Sequence, residues 1–331
     1  MSASARASAS TRRGVLHELA IQDWVIAAYL LVLVACSVAG EGARRGTALR
    51  YLAIDVAVFA ASIALTRGNV LAGRAHALVY RVGIFVALFG SFSQLQYILP
   101  TARTARVDGA LYALDRTIVG FEPAEALDRF VSPGLTEWFS FFYFSYFFIL
   151  AVHILPFLFA ARDTRLLGEL ALGLIVLFSV GHALYIAVPG YGPYQYLAGR
   201  FTHELEGPFW WRCMRAAVDA GEVVARTDIF PSLHTAAPTF LALFSFRHRR
   251  VAPFRVTWLP LAFFASQIVI STMYLRWHYL VDVFAGLALA GASLAFAALV
   301  SPREARWRAA TERGPVFDPP HVGRAHASVR A

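Results

Sequence analysis

Residues 271–282 read STMYLRWHYLVD and set Arg276, His278 and Asp282 where one apolar run ends and another begins. An ionisable group near hydrocarbon is costly and persists where it is paired, solvated or useful. His278 and Asp282 are four apart, so on a helix they share a face. A carboxylate there accepts an imidazole N–H, fixes the tautomer and turns the other ring nitrogen toward an incoming group, with the imidazole itself available as nucleophile. A helix start disfavours a charged ring while the carboxylate favours one, so a neutral, correctly aimed His278 is expected near neutral pH.

The second unusual stretch is TDIFPSLHTAAP, residues 227–238. Pro231 suits the first turn of a helix, where Ser232, Leu233 and His234 would expose free backbone amides. Such an end attracts anions; Ser232 adds a hydroxyl donor and His234 a titratable ring. Two histidines, a carboxylate, an arginine and a helix start suit phosphoryl transfer, which needs in-line positioning and donors around the equatorial oxygens. His278 would attack phosphorus and become phosphohistidine; His234 would protonate the leaving oxygen, then activate water or an alcohol. Taken singly, PSLH is usually a helix start with a surface histidine, and HxxxD a helix-surface pair. Their joint placement at neighbouring membrane junctions favours the catalytic reading.

These residues must be positioned by membrane helices. Of 331 residues 58% are hydrophobic and 15% charged, which is not a soluble-domain balance. All 30 basic residues are Arg, and the net charge is +9. No compact basic domain exists for nucleic acid to bind, since the arginines sit mainly between apolar runs. A bilayer-crossing helix needs roughly 20 mainly apolar residues. Spans are predicted near 22–40, 51–66, 77–99, 137–159, 166–188, 229–246, 256–275 and 278–300. The expected fold is therefore an all-α integral membrane protein of about eight transmembrane helices. The first run contains LVAC, which imitates a lipoprotein box, but the many spans that follow make it the first membrane helix. Cys36 and Cys213 define no disulfide framework.

Arginine-rich junctions at 247–255, at Arg162 and Arg165, at Arg67 and Arg74, and in both tails fall on one side when eight spans are threaded. That side is expected to be cytoplasmic, against the dissent of Arg44, Arg45 and Arg50. Both termini would then be cytoplasmic in the cell membrane, and His234 and His278 would open extracytoplasmically. The expected organisation is a disordered tail over 1–20, two additional helices over 21–76, a catalytic core over 77–300 and a disordered tail over 301–331. Extracytoplasmic loops would span 100–136 and 189–228; ALYALDRTIVGFEPAEALDRF in the first alternates like a helix lying along the interface.

PSLH at 231–234 resembles the second signature, usually PSGH, of the type 2 phosphatidic acid phosphatase superfamily, and the His278 to Asp282 spacing resembles the third. STMYLRWHYLVD is most similar to the inositol phosphorylceramide synthase-like branch. The resemblance covers about residues 77–300. It implies a six-helix membrane core and a cofactor-free, metal-independent phosphohistidine mechanism on a lipid phosphate. His278 would be nucleophile, Asp282 its partner and His234 the acid/base. The first signature, a Lys and later an Arg-Pro, is absent, and Ser271-Thr272 stands where the third usually has Ser-Arg. Phosphate-binding charge must come from elsewhere: Arg276 first, then Arg200 and Arg226, with Ser232 at the helix start.

Asp55, His153, Glu169, His182, Gln94, Gln96 and Gln267 are expected mainly to bond between helices, His182 lying nearest the active side. The aromatic run WFSFFYFSYFF at 138–148 reads as packing or lipid-facing surface. The competing function is a transporter or flippase whose His, Asp and Arg cluster is not catalytic, which predicts ionisable groups spread through the bilayer depth. Metal ligation is the third reading, with no CxxC or HExxH behind it. Partners are expected to be the lipid substrate and membrane lipids.

Overall fold

The computed structural model describes residues 14–68, 70–102, 105–159, 163–222 and 227–318. A short α1 (Val15–Glu18) precedes α2 (Ile21–Ala39), α3 (Arg45–Arg67) and α4 (Gly73–Ala102). Next come α5 (Asp108–Val119), α6 (Pro123–Leu127), α7 (Pro133–Phe159) and α8 (Thr164–Ala187). The chain continues through α9 (Pro193–Tyr196), α10 (Trp210–Glu222), α11 (Leu233–Arg247), α12 (Phe254–Tyr274) and α13 (Leu280–Ala310). Among the described residues there is no strand, and α2, α3, α4, α7, α8, α12 and α13 are long and apolar enough to cross a membrane. One continuous core runs through them, while Leu31, Phe148, Val256 and Leu299 remain exposed on their outer faces. Helices apolar inside and out are what hydrocarbon requires, because only they satisfy every backbone group without water.

The sixth expected span, 229–246, is α11, with 15 residues. At 1.5 Å per residue it measures about 22 Å, short of a hydrocarbon layer roughly 30 Å thick. Its N-cap Ser232 is wholly buried. Residues 229–232 are thus spent bringing non-helical chain into the bundle, and the helix begins inside it.

α5 confirms a helix within loop 100–136, and its Leu111 is buried with Ile229 and Tyr279 beside the start of α13. The tails depart from expectation. Residues 1–13 and 319–331 lie outside the described residues, but α1 occupies part of the expected N-terminal tail. α13 continues to Ala310, and the chain then turns back to bury Phe317. Arginines hold this return: Arg308 Nε donates to Gly314 O (2.7 Å), Arg67 Nη1 to Val316 O (3.3 Å) and Arg81 Nη2 to Asp318 O (3.0 Å). An Arg- and Pro-rich composition implies disorder; up to Asp318 the chain is instead held where its carbonyls accept from Arg67 of α3, Arg81 of α4 and Arg308 of α13.

The same end of the bundle carries a buried polar network. Asp23 Oδ2 accepts from Arg67 Nε (3.0 Å) and from Ala20 N (2.8 Å), and Oδ1 from the Tyr80 hydroxyl (2.5 Å). Gln22 Nε2 also donates to the Tyr80 hydroxyl (2.8 Å). Starts of α2 and α4 and the end of α3 are locked together there. Glu169 bonds Arg247 and His248 (2.7 and 3.1 Å), and Gln267 bonds Trp138 (3.0 Å), both between helices. His153 bonds the Ile149 carbonyl of its own helix (2.8 Å).

Candidate active site

At the opposite end α12 stops at Tyr274 and the chain reverses through five residues into α13. Trp277 N and His278 N both donate to Thr272 O (2.9 and 3.1 Å), and Arg276 takes φ 67°. That left-handed conformation is uncommon for a residue with a Cβ. Tyr279 is the N-cap of α13, and its N–H donates to Asp282 Oδ2 (2.9 Å), the backward contact of a capping box. His278 therefore stands just before the helix instead of one turn along it. Its Nδ1 lies 3.5 Å from Asp282 Oδ2. Asp282 is fully buried and its Oδ1 has no hydrogen-bond partner.

Carboxylates on neighbouring elements position this turn. Asp115 of α5 accepts from Leu280 N (2.6 Å) and Val281 N (2.8 Å), so the first free amides of α13 are already bound. Behind it, burial pushes the Glu122 carboxyl up to about 8; the Ala124 N–H opposes the shift and the neighbouring Asp115 adds to it. Two carboxyls this close cannot readily both ionise. Asp108 Oδ1 accepts from the Tyr279 hydroxyl (3.1 Å), Tyr191 N (2.9 Å) and Gly192 N (2.9 Å). It thereby ties the VPGYGPYQY loop to the turn. Gly192 (φ 82°) leaves no room for a Cβ, which would sit 2.4 Å from Trp277 O.

α11 meets this assembly edge-on. Ser232 N donates to Asp282 O (3.0 Å), and Ser232 Oγ accepts from Thr235 N (3.2 Å). A Cβ on Gly286 would fall 2.5 Å from Ser232 O, so glycine is what lets α13 approach this close. His234 and His278 consequently face each other with ring centroids 6.3 Å apart. His234 is stacked on Tyr143 (4.2 Å, 15°) and lies against Tyr146 (4.3 Å). The Tyr143 hydroxyl and His234 Nδ1 are hydrogen-bonded at 3.3 Å, while His234 Nε2 has no partner. Both histidines line one cavity with Tyr185, Tyr191, Asp228 and Trp277. Burial raises the Asp228 carboxyl above the usual range, and His278 partly opposes that. The Trp277 indole Nε1 is buried without a partner.

The structure thus brings together His234, His278 and Asp282. Of the expected phosphate ligands, Arg276, Arg200 and Ser232 do not line the cavity. Arg276 Nη2 donates to Asp128 Oδ1 (2.7 Å) and His203 O (2.6 Å), with its guanidinium over Phe201. The left-handed turn sends this side chain to a buried carboxylate and away from His278. Burial alone would raise Asp128, but hydrogen bonds from Thr202 and His203 outweigh it and hold the carboxyl at about 2. Arg200 bonds the Tyr112 hydroxyl (2.6 Å) and Glu125 (3.1 Å) on the exposed surface. Ser232 is committed to capping α11, and Arg226 lies outside the described residues. His182 lines the cavity deeper down, bonded to the Tyr29 hydroxyl (2.9 Å).

Four cavity residues escaped the sequence reading. Asp228 stood inside the stretch that attracted attention, six residues before His234. Tyr143 and Tyr146 lie in a Phe-rich run where their phenol hydroxyls are all that sets them apart from the phenylalanines. Trp277 directly precedes His278, and nothing in its type or spacing marks it for the cavity.

A family model described as the PAP2 superfamily matches residues 109–296, more than half of the chain. Neither the curated proteins nor the solved structures contain a match.

Proposed function

The chain belongs to the PAP2 superfamily, and from that premise we propose a lipid phosphatase or phosphotransferase that works through phosphohistidine at His278, in the manner of the inositol phosphorylceramide synthase-like branch. The carrying observation is the convergence of two imidazoles on one cavity, 6.3 Å apart, with a buried carboxylate behind one of them. Attack on phosphorus by one ring and proton transfer to the leaving oxygen by the other require that both imidazoles reach the same substrate, and both line the same cavity.

In the first step His278 Nε2 attacks phosphorus while Nδ1–H points at Asp282 Oδ2. The N–P bond forms as the bond to the lipid oxygen breaks. His234, protonated at Nε2 once the negative charge of the bound phosphate enters the cavity and with Nδ1–H toward the Tyr143 hydroxyl, gives that proton to the leaving oxygen. In the second step neutral His234 takes a proton from water or an alcohol, whose oxygen attacks phosphorus and releases His278. Among the described residues no arginine lines this end of the cavity, although Arg106 lies over Tyr191 (5.1 Å) and Arg215 over Trp277 (5.8 Å) just outside it. The Trp277 N–H and a protonated Asp228 supply the donors for the equatorial oxygens, a role a carboxyl performs only when burial keeps it neutral. Arginine-rich junctions at the opposite end support an extracytoplasmic site with both termini in the cytoplasm.

The test is capture of labelled phosphate on purified protein from a labelled lipid phosphate. An acid-labile, base-stable label that disappears in His278→Ala together with turnover is expected. Turnover surviving in His278→Ala would remove the mechanism. Product analysis with and without a polyol acceptor separates hydrolase from transferase.

A further inference from the structure

The cavity does not end at the histidines. It continues between α4, α7 and α8 past Phe92, Leu150 and Leu174 to a floor formed by Arg81 and Phe317. Along α8 its lining extends from Tyr185 to Leu167, a rise of about 27 Å. One leaflet offers roughly half of a 30 Å hydrocarbon layer, so the slot reaches well beyond the membrane midplane. Its walls below His182 are almost wholly aliphatic and aromatic, which admits a hydrocarbon chain and refuses a hydrated headgroup.

The floor is built by the C-terminal return. Phe317 is 3% exposed and packs on Tyr80 at 5.3 Å between ring centroids. The Arg81 guanidinium lies over its other side at 6.0 Å. Asp318 Oδ2 pairs with His76 Nδ1 (2.8 Å), and Arg81 Nη2 takes the Asp318 carbonyl (3.0 Å). A residue supplied by the last described stretch of chain, outside the matched family region, thus closes the far end of a slot that begins at the nucleophile.

Resting on the function proposed above, we propose that this slot holds the apolar chain of the substrate and that Phe317 is its length stop. The preferred substrate is then a lipid phosphate whose hydrocarbon chain crosses the midplane, isoprenoid or very long acyl. A chain moving from bilayer to slot gains little from the hydrophobic effect, since both surroundings are apolar. Selection comes from packing: a short chain leaves part of the slot empty and forfeits its dispersion contacts, and a chain that overruns meets Phe317.

The experiment measures kcat/KM on headgroup-matched monophosphates of increasing chain length, with isoprenoid and straight-chain series run in parallel to separate the two sources. In the same series, non-hydrolysable phosphonates are followed by thermal shift of the wild-type protein. We expect kcat/KM and thermal shift to climb about tenfold and several degrees respectively between a chain ending near Leu174 and one reaching Phe317, then to fall. Phe317→Ala moves the optimum to longer chains and Phe317→Trp to shorter ones. Should Phe317→Ala loosen the return too far to purify, Ala171→Phe, which narrows the slot above the floor, moves the optimum to shorter chains. His278-dependent turnover with a flat chain-length profile, or optima that stay put in these variants, overturns the inference and leaves the proposed function standing. Absence of His278-dependent turnover on every lipid, with phosphonate shifts that still grow with chain length, overturns the function and leaves the slot.

Discussion

Two aspartates in this protein begin from the same local chemistry and end with opposite properties. Asp23 and Asp282 each occupy the third position of a long helix and accept the N–H of that helix's own N-cap, Ala20 or Tyr279. Around Asp23 the remaining valence is filled by Arg67 and the Tyr80 hydroxyl. Around Asp282 one oxygen has no partner and the other faces His278 at 3.5 Å. A buried carboxylate with both oxygens engaged is a strut, because removing it orphans its partners. One with unspent capacity beside a histidine can orient and stabilise a ring that changes charge.

The largest effects should separate the two. Asp282→Asn is expected to lower kcat by about 10²- to 10⁴-fold with little change in melting temperature. Asp23→Asn should instead cost about 3–5 kcal/mol of stability, read by thermal unfolding in detergent, and leave kcat of the surviving folded protein near that of the parent. Reversal of either pattern would break the contrast.

Gly286→Ala sharpens it from another direction. The added methyl meets Ser232 O, pushes α11 from α13 and draws His234 off the phosphoryl position. Turnover should fall by about 10²-fold with His278 and Asp282 intact, and labelling of His278 and release of the lipid alcohol, which are one step, should slow together as His234 loses the leaving oxygen. A lowered melting temperature with unchanged turnover of the folded fraction would show that the glycine serves folding alone.

A pH profile tests the carboxyls that hold the catalytic turn. Glu122 sits at about 8 in the folded protein, above the ordinary value of about 4.3, so the folded state keeps a proton that the unfolded state loses. Stability from this group is full below about pH 4.3 and is lost as pH rises toward 8. Glu122→Gln should flatten that decline in melting temperature; an unaltered slope would exclude the pair. Asp128, held at about 2, has the opposite sign: its contribution is present above about pH 3.9 and disappears as pH falls through 2. The smallest effect expected is that of Tyr143→Phe. It removes one hydrogen bond worth about 0.5–1.5 kcal/mol, hence a twofold to tenfold fall in kcat with stacking on His234 retained.

Much of the fold was written in local patterns. Long apolar runs bounded by arginines predicted the spans, and alternation in 100–136 predicted α5, since each signal lies within a single element. The return of the chain after Ala310 was not visible, because its stability comes largely from Arg67 and Arg81 meeting carbonyls far away in sequence. Arg276 shows the reverse error. Its nearness to His278 suggested a phosphate ligand, yet Asp128, 148 residues away, and a left-handed φ claim it. No pattern of spacing announces a partner at that distance.

What the sequence by itself determined is which chemistry the chain can offer: residue types at i and i+4, a Pro-led helix start and the apolar lengths that commit both to a membrane. These are one-dimensional properties. Which nitrogen is left unpaired, which carboxyl is saturated and where the lipid slot ends were decided only by tertiary structure. Burial and hydrogen-bond satisfaction are properties of a neighbourhood, and the neighbours of His278 and Phe317 come from segments as far apart in sequence as Tyr80 and Phe317.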